Sequence, residues 1–96
     1  MIRHICMFKL KEENKEYNIQ QFIEKAESLK GLAMVKTLTA VSNSQLAPSS
    51  NFEVALIVDF ESINDLESYQ KDPTHIEFGR FISDIREARA CIDYEM

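Results

Sequence analysis

Residues 52–60 read FEVALIVDF. Side chains of an extended chain alternate between faces, so Phe52, Val54, Leu56, Val58 and Phe60 fall together on one side. Ala55 and Ile57 place apolar groups on the other side as well. A strand with one wet face carries polar residues there, so this strand is expected to be covered on both faces. The N-terminal stretch repeats the pattern. Residues 1–11 are predicted to form a strand with Ile2, His4, Cys6, Phe8 and Leu10 on one side and Arg3, Ile5, Met7 and Lys9 on the other.

Between these strands the period changes. Ile19, Phe22, Ile23, Ala26 and Leu29 recur at the three- and four-residue spacing of an amphipathic helix. Asn14 and Asn18 are both candidate N-caps, and Gly31 is suited to close the helix because it tolerates positive φ. The acidic stretch Glu12–Glu16 reads as a solvated helix start. Residues 32–43, rich in β-branched side chains and free of breakers, are predicted as a strand. SNSQLAPSSN, dense in Ser, Asn and Pro, is a loop and the segment expected to be most mobile.

After residue 60, Ser62 and Asp65 form a weak capping box for a short helix buried through Leu66 and Tyr69. Pro73 disfavours helical geometry at Asp72, so that helix should stop near Lys71. Asp72 can cap a new helix with Pro73 in its first position, lined by His75, Phe78, Phe81, Ile82 and Ile85. Residues 88–95 close the chain as a strand, with Ala90, Ile92 and Tyr94 on one side and Arg89, Cys91 and Asp93 on the other.

The predicted order is strand, helix, strand, strand, helices, strand. That is the α+β, ferredoxin-like β-α-β-β-α-β arrangement, a four-stranded antiparallel sheet with helices on one face. Residues 1–96 are read as a single domain. The helices can cover only one face of a sheet that is apolar on both. A second copy of the chain is the simplest cover, which predicts a homodimer through the open sheet face.

The chain has 96 residues, of which 45% are hydrophobic. That share excludes a disordered or collagen-like chain. Sixteen acidic against 11 basic residues give a net charge of −5, which argues against nucleic-acid binding. No run is long enough to span a membrane and the N-terminus lacks a secretion-signal layout, so a cytoplasmic setting is expected. The two cysteines, Cys6 and Cys91, are too few for a disulfide scaffold, and buried free thiols are expected. In this topology the first and last strands are neighbours. A register that sets polar His4 opposite Asp93 also sets Cys6 opposite Cys91. These cysteines could bridge, but a reducing compartment favours thiols. Arg80, Arg86 and Arg89 are expected to pair with acids. Arg89 lies on the side of Asp93 and is suited to neutralise it or to bind an anionic ligand.

The segments RHICMFKLK, NFEVALIVDFES, YQKDPTHIEFGRF and RACIDYE resemble the stress-responsive dimeric α/β-barrel (Dabb) family over nearly the whole chain. The resemblance implies a ferredoxin-like subunit that forms a dimeric α/β barrel. The family includes plant stress proteins that form stable oligomers and plant polyketide cyclases that close a ring by an aldol step. Similarity to the cyclases implies catalytic roles for Tyr69 and His75, with His4 and Asp93 as pocket or orienting residues. Asp72 stands where the cyclases have His.

His75, in the first turn of a helix and on its apolar face, is expected to stay neutral and able to act as a general base. Tyr69 could donate a hydrogen bond to an oxygen that gains negative charge. Together they suit proton abstraction beside a carbonyl and carbon–carbon bond closure, with no metal or organic cofactor required. The competing reading makes His75 a structural cap and Tyr69 a core residue. Three functions are compatible with these residues. The first is a protein binding a small hydrophobic carbonyl-bearing ligand between sheet and helices, with or without cyclase-like chemistry. The second is a non-enzymatic stress-related oligomer. The third is a haem or quinol monooxygenase, which shares the dimeric-barrel fold.

Overall fold

The computed structural model describes residues 1–96. Its elements are β1 (Ile2–Leu10), α1 (Lys15–Ala26) with a 3-10 turn at Glu27–Leu29, β2 (Thr37–Ser42), β3 (Val54–Phe60), α2 (Ile63–Lys71), α3 (Pro73–Ile85) and β4 (Arg86–Glu95). The four strands form one open antiparallel sheet in the order β2-β3-β1-β4. This is the ferredoxin-like arrangement expected from the sequence.

Alternation along β1 and β3 builds the core. His4, Cys6, Phe8 and Leu10 from β1 and Val54, Leu56, Val58 and Phe60 from β3 are all buried. Phe22, Ala26 and Leu29 descend from the first helix, and Leu66, Tyr69, Phe78, Ile82 and Ile85 from α2 and α3. A relay of rings locks the layers together: Phe8 to Phe22 at 5.9 Å, then Phe22 to Phe78 at 5.5 Å. Burying each such side chain contributes about 1.5–3 kcal/mol. The opposite face carries Ile5, Met7, Ile57, Val41, Ile92 and Tyr94, and Ile92 is 61% exposed. No helix is long and apolar enough to cross a membrane.

Three local expectations are corrected. Gly31 does not adopt positive φ. The 3-10 turn closes the helix instead, with the Lys30 N–H donating to the Glu27 carbonyl. Asn14, not Gly31, is left-handed, at φ 55°, and its side chain makes no capping hydrogen bond. The second strand starts at Thr37 rather than residue 32, because Leu32, Met34 and Val35 pack on the core from a turn. The last strand begins at Arg86, with an irregularity that pairs Lys9 with Ala88 but Leu10 with Arg86.

Two buried carboxylates fasten the sheet. Asp59 accepts two hydrogen bonds from the Arg3 guanidinium, at 2.8 and 2.9 Å, and one from the Thr37 hydroxyl at 2.8 Å. Glu53 accepts from the Leu10 N–H at 2.7 Å and from Lys9 and Lys15, tying the end of β1 to the start of α1. Arg3 holds the Asp59 carboxyl below its ordinary range. Burial alone would raise Glu53, but the Leu10 N–H and the two lysines outweigh it and hold it low. A carboxylate depressed in the folded state contributes stability above its unfolded pKa of about 4, and the contribution is lost as pH falls. Urea unfolding between pH 7 and pH 3 should therefore show stability falling below about pH 4. The acid limb should be shallower in Asp59→Asn and Glu53→Gln, and an unchanged limb in both would contradict this account.

Candidate functional site

The site is built on a corner without a loop. The Ser62 hydroxyl starts α2 by accepting the Asp65 N–H at 3.3 Å. Asp72 ends α2 in extended geometry, as the following proline requires. The same residue starts α3, its carboxylate accepting the Thr74 N–H at 2.8 Å. Tyr69 therefore stands in the last turn of one helix and His75 in the first turn of the next. Their ring centroids are 4.4 Å apart. Tyr69 also packs on Phe60 at 5.0 Å and meets the His4 ring edge-on at 6.4 Å.

The His4, Tyr69 and His75 rings border a cavity of about 230 Å³ between the sheet and the helices. His4, Cys6, Tyr69, His75, Arg86 and Arg89 supply its chemistry, and Phe8, Leu56, Phe78 and Ile82 its apolar wall. Two larger depressions, of about 580 and 570 Å³, are more open surface grooves; the first shares Phe78 with the cavity but neither is lined by His4, Tyr69 or His75. The structure thus brings His4, Tyr69 and His75 to one cavity. Asp93 stays outside the lining and hydrogen-bonds the His4 Nδ1. An ionised carboxylate only accepts, so Nδ1 carries the proton, and in the neutral ring Nε2 is the acceptor. The register is the one anticipated: His4 opposite Asp93, Cys6 opposite Cys91.

His75 Nδ1 is buried with no hydrogen-bond partner. Burial holds the His75 pKa below its ordinary value, with His4 and Arg89 pushing the same way and the Gln70 carbonyl and Asp72 opposing. A neutral ring at pH 7 is the result. Burial also raises the Tyr69 phenol, which stays protonated and able to donate. No group of three or more His, Cys, Asp or Glu side chains is arranged to hold a metal ion.

Two expectations about β4 change. Cys6 and Cys91 are joined as a disulfide rather than free, their Cα atoms 4.2 Å apart across the ladder. Directly opposed residues of antiparallel strands approach to about this distance, so the register that pairs them also brings the sulfurs into bonding range. Arg80 pairs with Glu77 as expected. Arg89 instead donates to Cys91 Sγ at 2.9 Å and to Cys6 Sγ at 3.6 Å, and neither Arg89 nor Arg86 forms an ion pair.

Sequence reasoning missed Gln70, Gly79, Ser83 and Arg86 in the lining. Gly79 and Ser83 lie four and eight residues after His75, on the same helix face, so helical spacing could have found them. Arg86 could not be found that way. The bulge leaves Glu87 as an extra residue between Arg86 and Ala88 and re-aims Arg86 to the helix side.

The profile of the Stress Responsive A/B Barrel Domain (Dabb) matches residues 2–96. Among solved structures, a dimeric protein of unknown function with a ferredoxin-like fold from Bacteroides fragilis is similar at 27% identity and TM-score 0.88, over 99% of this chain and 95% of that one. A Dabb family protein from Mesorhizobium loti aligns at 23% identity and TM-score 0.81, over 99% and 95% of the two chains. The hydroxynitrile lyase of Passiflora edulis aligns at 22% identity and TM-score 0.83, over 99% and 92%. The last two similarities show a shared fold. A comparison with curated proteins finds no match.

Two measurements check the geometry. An NMR titration should give His75 a midpoint below about 6.5, the value of an unperturbed histidine. A midpoint above that would mean the ring is not buried as described. A Cβ built on helical Gly79 meets no atom within 4 Å. Gly79→Ala should therefore raise stability by about 0.5–1 kcal/mol in denaturant unfolding, through helix propensity alone.

Proposed function

The chain belongs to the stress responsive A/B barrel domain family, and on that premise we propose that it is a homodimer that binds a small hydrophobic, carbonyl-bearing compound in the cavity between sheet and helices. The observation that carries the reading is the His75 ring, its pKa lowered by burial, packed 4.4 Å from the Tyr69 ring at the lining of that cavity. Its Nδ1 is closed off by the protein, which leaves Nε2 as the nitrogen to meet a bound polar group. The apolar wall formed by Phe8, Leu56, Phe78 and Ile82 favours a ligand whose remainder is hydrophobic.

The chemistry proposed for the pair is proton abstraction next to a carbonyl. Neutral His75 takes the proton from carbon, and the Tyr69 hydroxyl donates a hydrogen bond to the oxygen on which charge develops. The resulting enolate carbon can close on a second carbonyl in the same molecule, an aldol step like that of the cyclases. His4, with its tautomer held by Asp93, orients the ligand from the sheet side. Compatibility of the fold with lyase chemistry is supported by the Passiflora edulis enzyme.

The dimer reading is supported by the uncovered apolar face of the sheet and by the dimeric description of the Bacteroides fragilis protein. A second copy would seal Ile5, Met7, Ile57 and Ile92 from water. Light scattering at micromolar concentration should return twice the 11.1 kDa chain mass, and a monomer would overturn it.

The ligand reading is tested by a thermal-shift screen of small carbonyl compounds against the wild type, His75→Ala and Gly79→Leu. Hits should raise the wild-type Tm and fail to raise that of either variant, since one loses the polar partner and the other fills the cavity. Equal shifts in all three proteins, or no hits, would remove the cavity as a binding site and leave an oligomer without ligand chemistry.

A further inference from the structure

The carbonyl reading does not use the disulfide whose Cys6 half borders the cavity. Its surroundings are unusual for a bond with only a structural duty. Cys6 is 4% exposed and lies on a central strand, whereas Cys91 lies on the exposed edge strand β4. One Arg89 Nη2 reaches both sulfurs, at 2.9 and 3.6 Å. His4 Nε2 lies 3.3 Å from Cys6 Sγ, and Asp93 holds the other nitrogen of the same ring. A neutral disulfide gains little from a guanidinium and has no proton for an imidazole acceptor. A thiolate gains from the first, and a thiol can donate to the second. The cluster is therefore arranged for the reduced pair as much as for the bonded one.

We propose that Cys6 and Cys91 form a thiol–disulfide exchange site between the cavity, which Cys6 lines, and the exposed strand that carries Cys91, with small thiols as its reactants, Arg89 as the thiolate stabiliser and the His4–Asp93 pair as the proton carrier for Cys6. The exposed strand directs attack to Cys91. An incoming thiolate forms a bond to Cys91 Sγ, the Cys6–Cys91 bond breaks, and its electron pair leaves on Cys6. That leaving thiolate sits between Arg89 and His4, and a low-pKa leaving thiol departs faster. Cys6 takes up a proton that His4 Nε2 first accepts from solvent, the ring charge being balanced by Asp93 at Nδ1. A second thiolate attacks the outer sulfur of the mixed disulfide, releasing Cys91 as thiolate and a small-molecule disulfide. Two electrons pass from two thiols to the protein, and the reverse sequence oxidises the pair. The titratable or charged groups facing the cysteines are His4 from β1, Arg86, Arg89 and Asp93 from β4, Tyr69 from α2 and His75 from α3. Arg86 adds positive charge on the same side, and neutral Tyr69 and His75 add none.

The proposal stands apart from the carbonyl reading, and its test needs no ligand of that class. Oxidised protein is incubated under native conditions with reduced glutathione and examined by intact mass and peptide mapping. The expected product is a mixed disulfide on Cys91, which proceeds to two free thiols. Reduced Cys91→Ser, which keeps Cys6 alone, is then alkylated with iodoacetamide across pH. Its reaction midpoint should lie below the 8.5 or so of an ordinary cysteine. Adding Arg89→Gln should slow alkylation at pH 7 about tenfold, as a one-unit rise in pKa does, while Arg89→Lys restores most of the rate. Circular dichroism on the reduced forms establishes that each variant is folded. A disulfide that resists glutathione until the protein is unfolded would overturn the proposal. So would an ordinary midpoint, or equal rates with arginine and glutamine at position 89.

Discussion

The pairing of β1 with β4 is the constraint on which the helix side of the molecule depends. β1 is held on both edges, by β3 and by β4, so its side chains cannot change face without breaking two ladders. That fixes His4 and Cys6 beneath the helices and sets Asp93 and Cys91 beside them. A one-residue slip of β1 would turn His4 and Cys6 toward the open face, away from Asp93 and Cys91, and put Ile5 and Met7 under α2 and α3. The polar groups of the cavity are thus placed by the register of an edge strand that is itself almost wholly exposed in the single chain.

Much of this is legible in the residues, for physical reasons that differ by element. β1 and β3 alternate so regularly that period 2 alone finds them. The α2–α3 corner is written in Ser62, Asp72 and Pro73, whose backbone preferences act locally and need no tertiary help. The β1–β4 register comes from requiring a buried histidine to find a partner. Other features depend on the rest of the fold. The start of β2 differs from its pattern because Leu32, Met34 and Val35 owe their apolar character to packing from a turn, not to strand pairing. Gly31 fits a left-handed cap, yet a 3-10 turn satisfies the same carbonyls. Arg86 enters the cavity only because a bulge inserts one residue into β4, and no pattern in β4 announces it.

The cavity is unequal in character. Its helix side offers a buried, neutral imidazole and an un-ionised phenol on an aromatic wall. Its sheet side offers two arginines without acidic partners, a histidine bonded to a carboxylate and the Cys6 end of the disulfide. The first set suits chemistry at carbon next to a carbonyl, and the second suits chemistry of sulfur or of anions. A chain with five more acidic than basic residues still leaves Arg86 and Arg89 without carboxylate partners, so local placement, not overall charge, sets the potential inside the cavity.

The corner at Asp72 bears on how such a protein can vary. One residue ends α2 and begins α3, so Tyr69 and His75 are separated by a fixed count of backbone bonds with no loop to absorb change. An inserted residue in the first turn of α3 would rotate the rest of that helix by about 100° and carry His75 away from the phenol. The segment Asn43–Asn51, remote from the cavity, has no such coupling. Length variation among related chains should therefore collect between β2 and β3 and be scarce at the corner, even though both are surface connections.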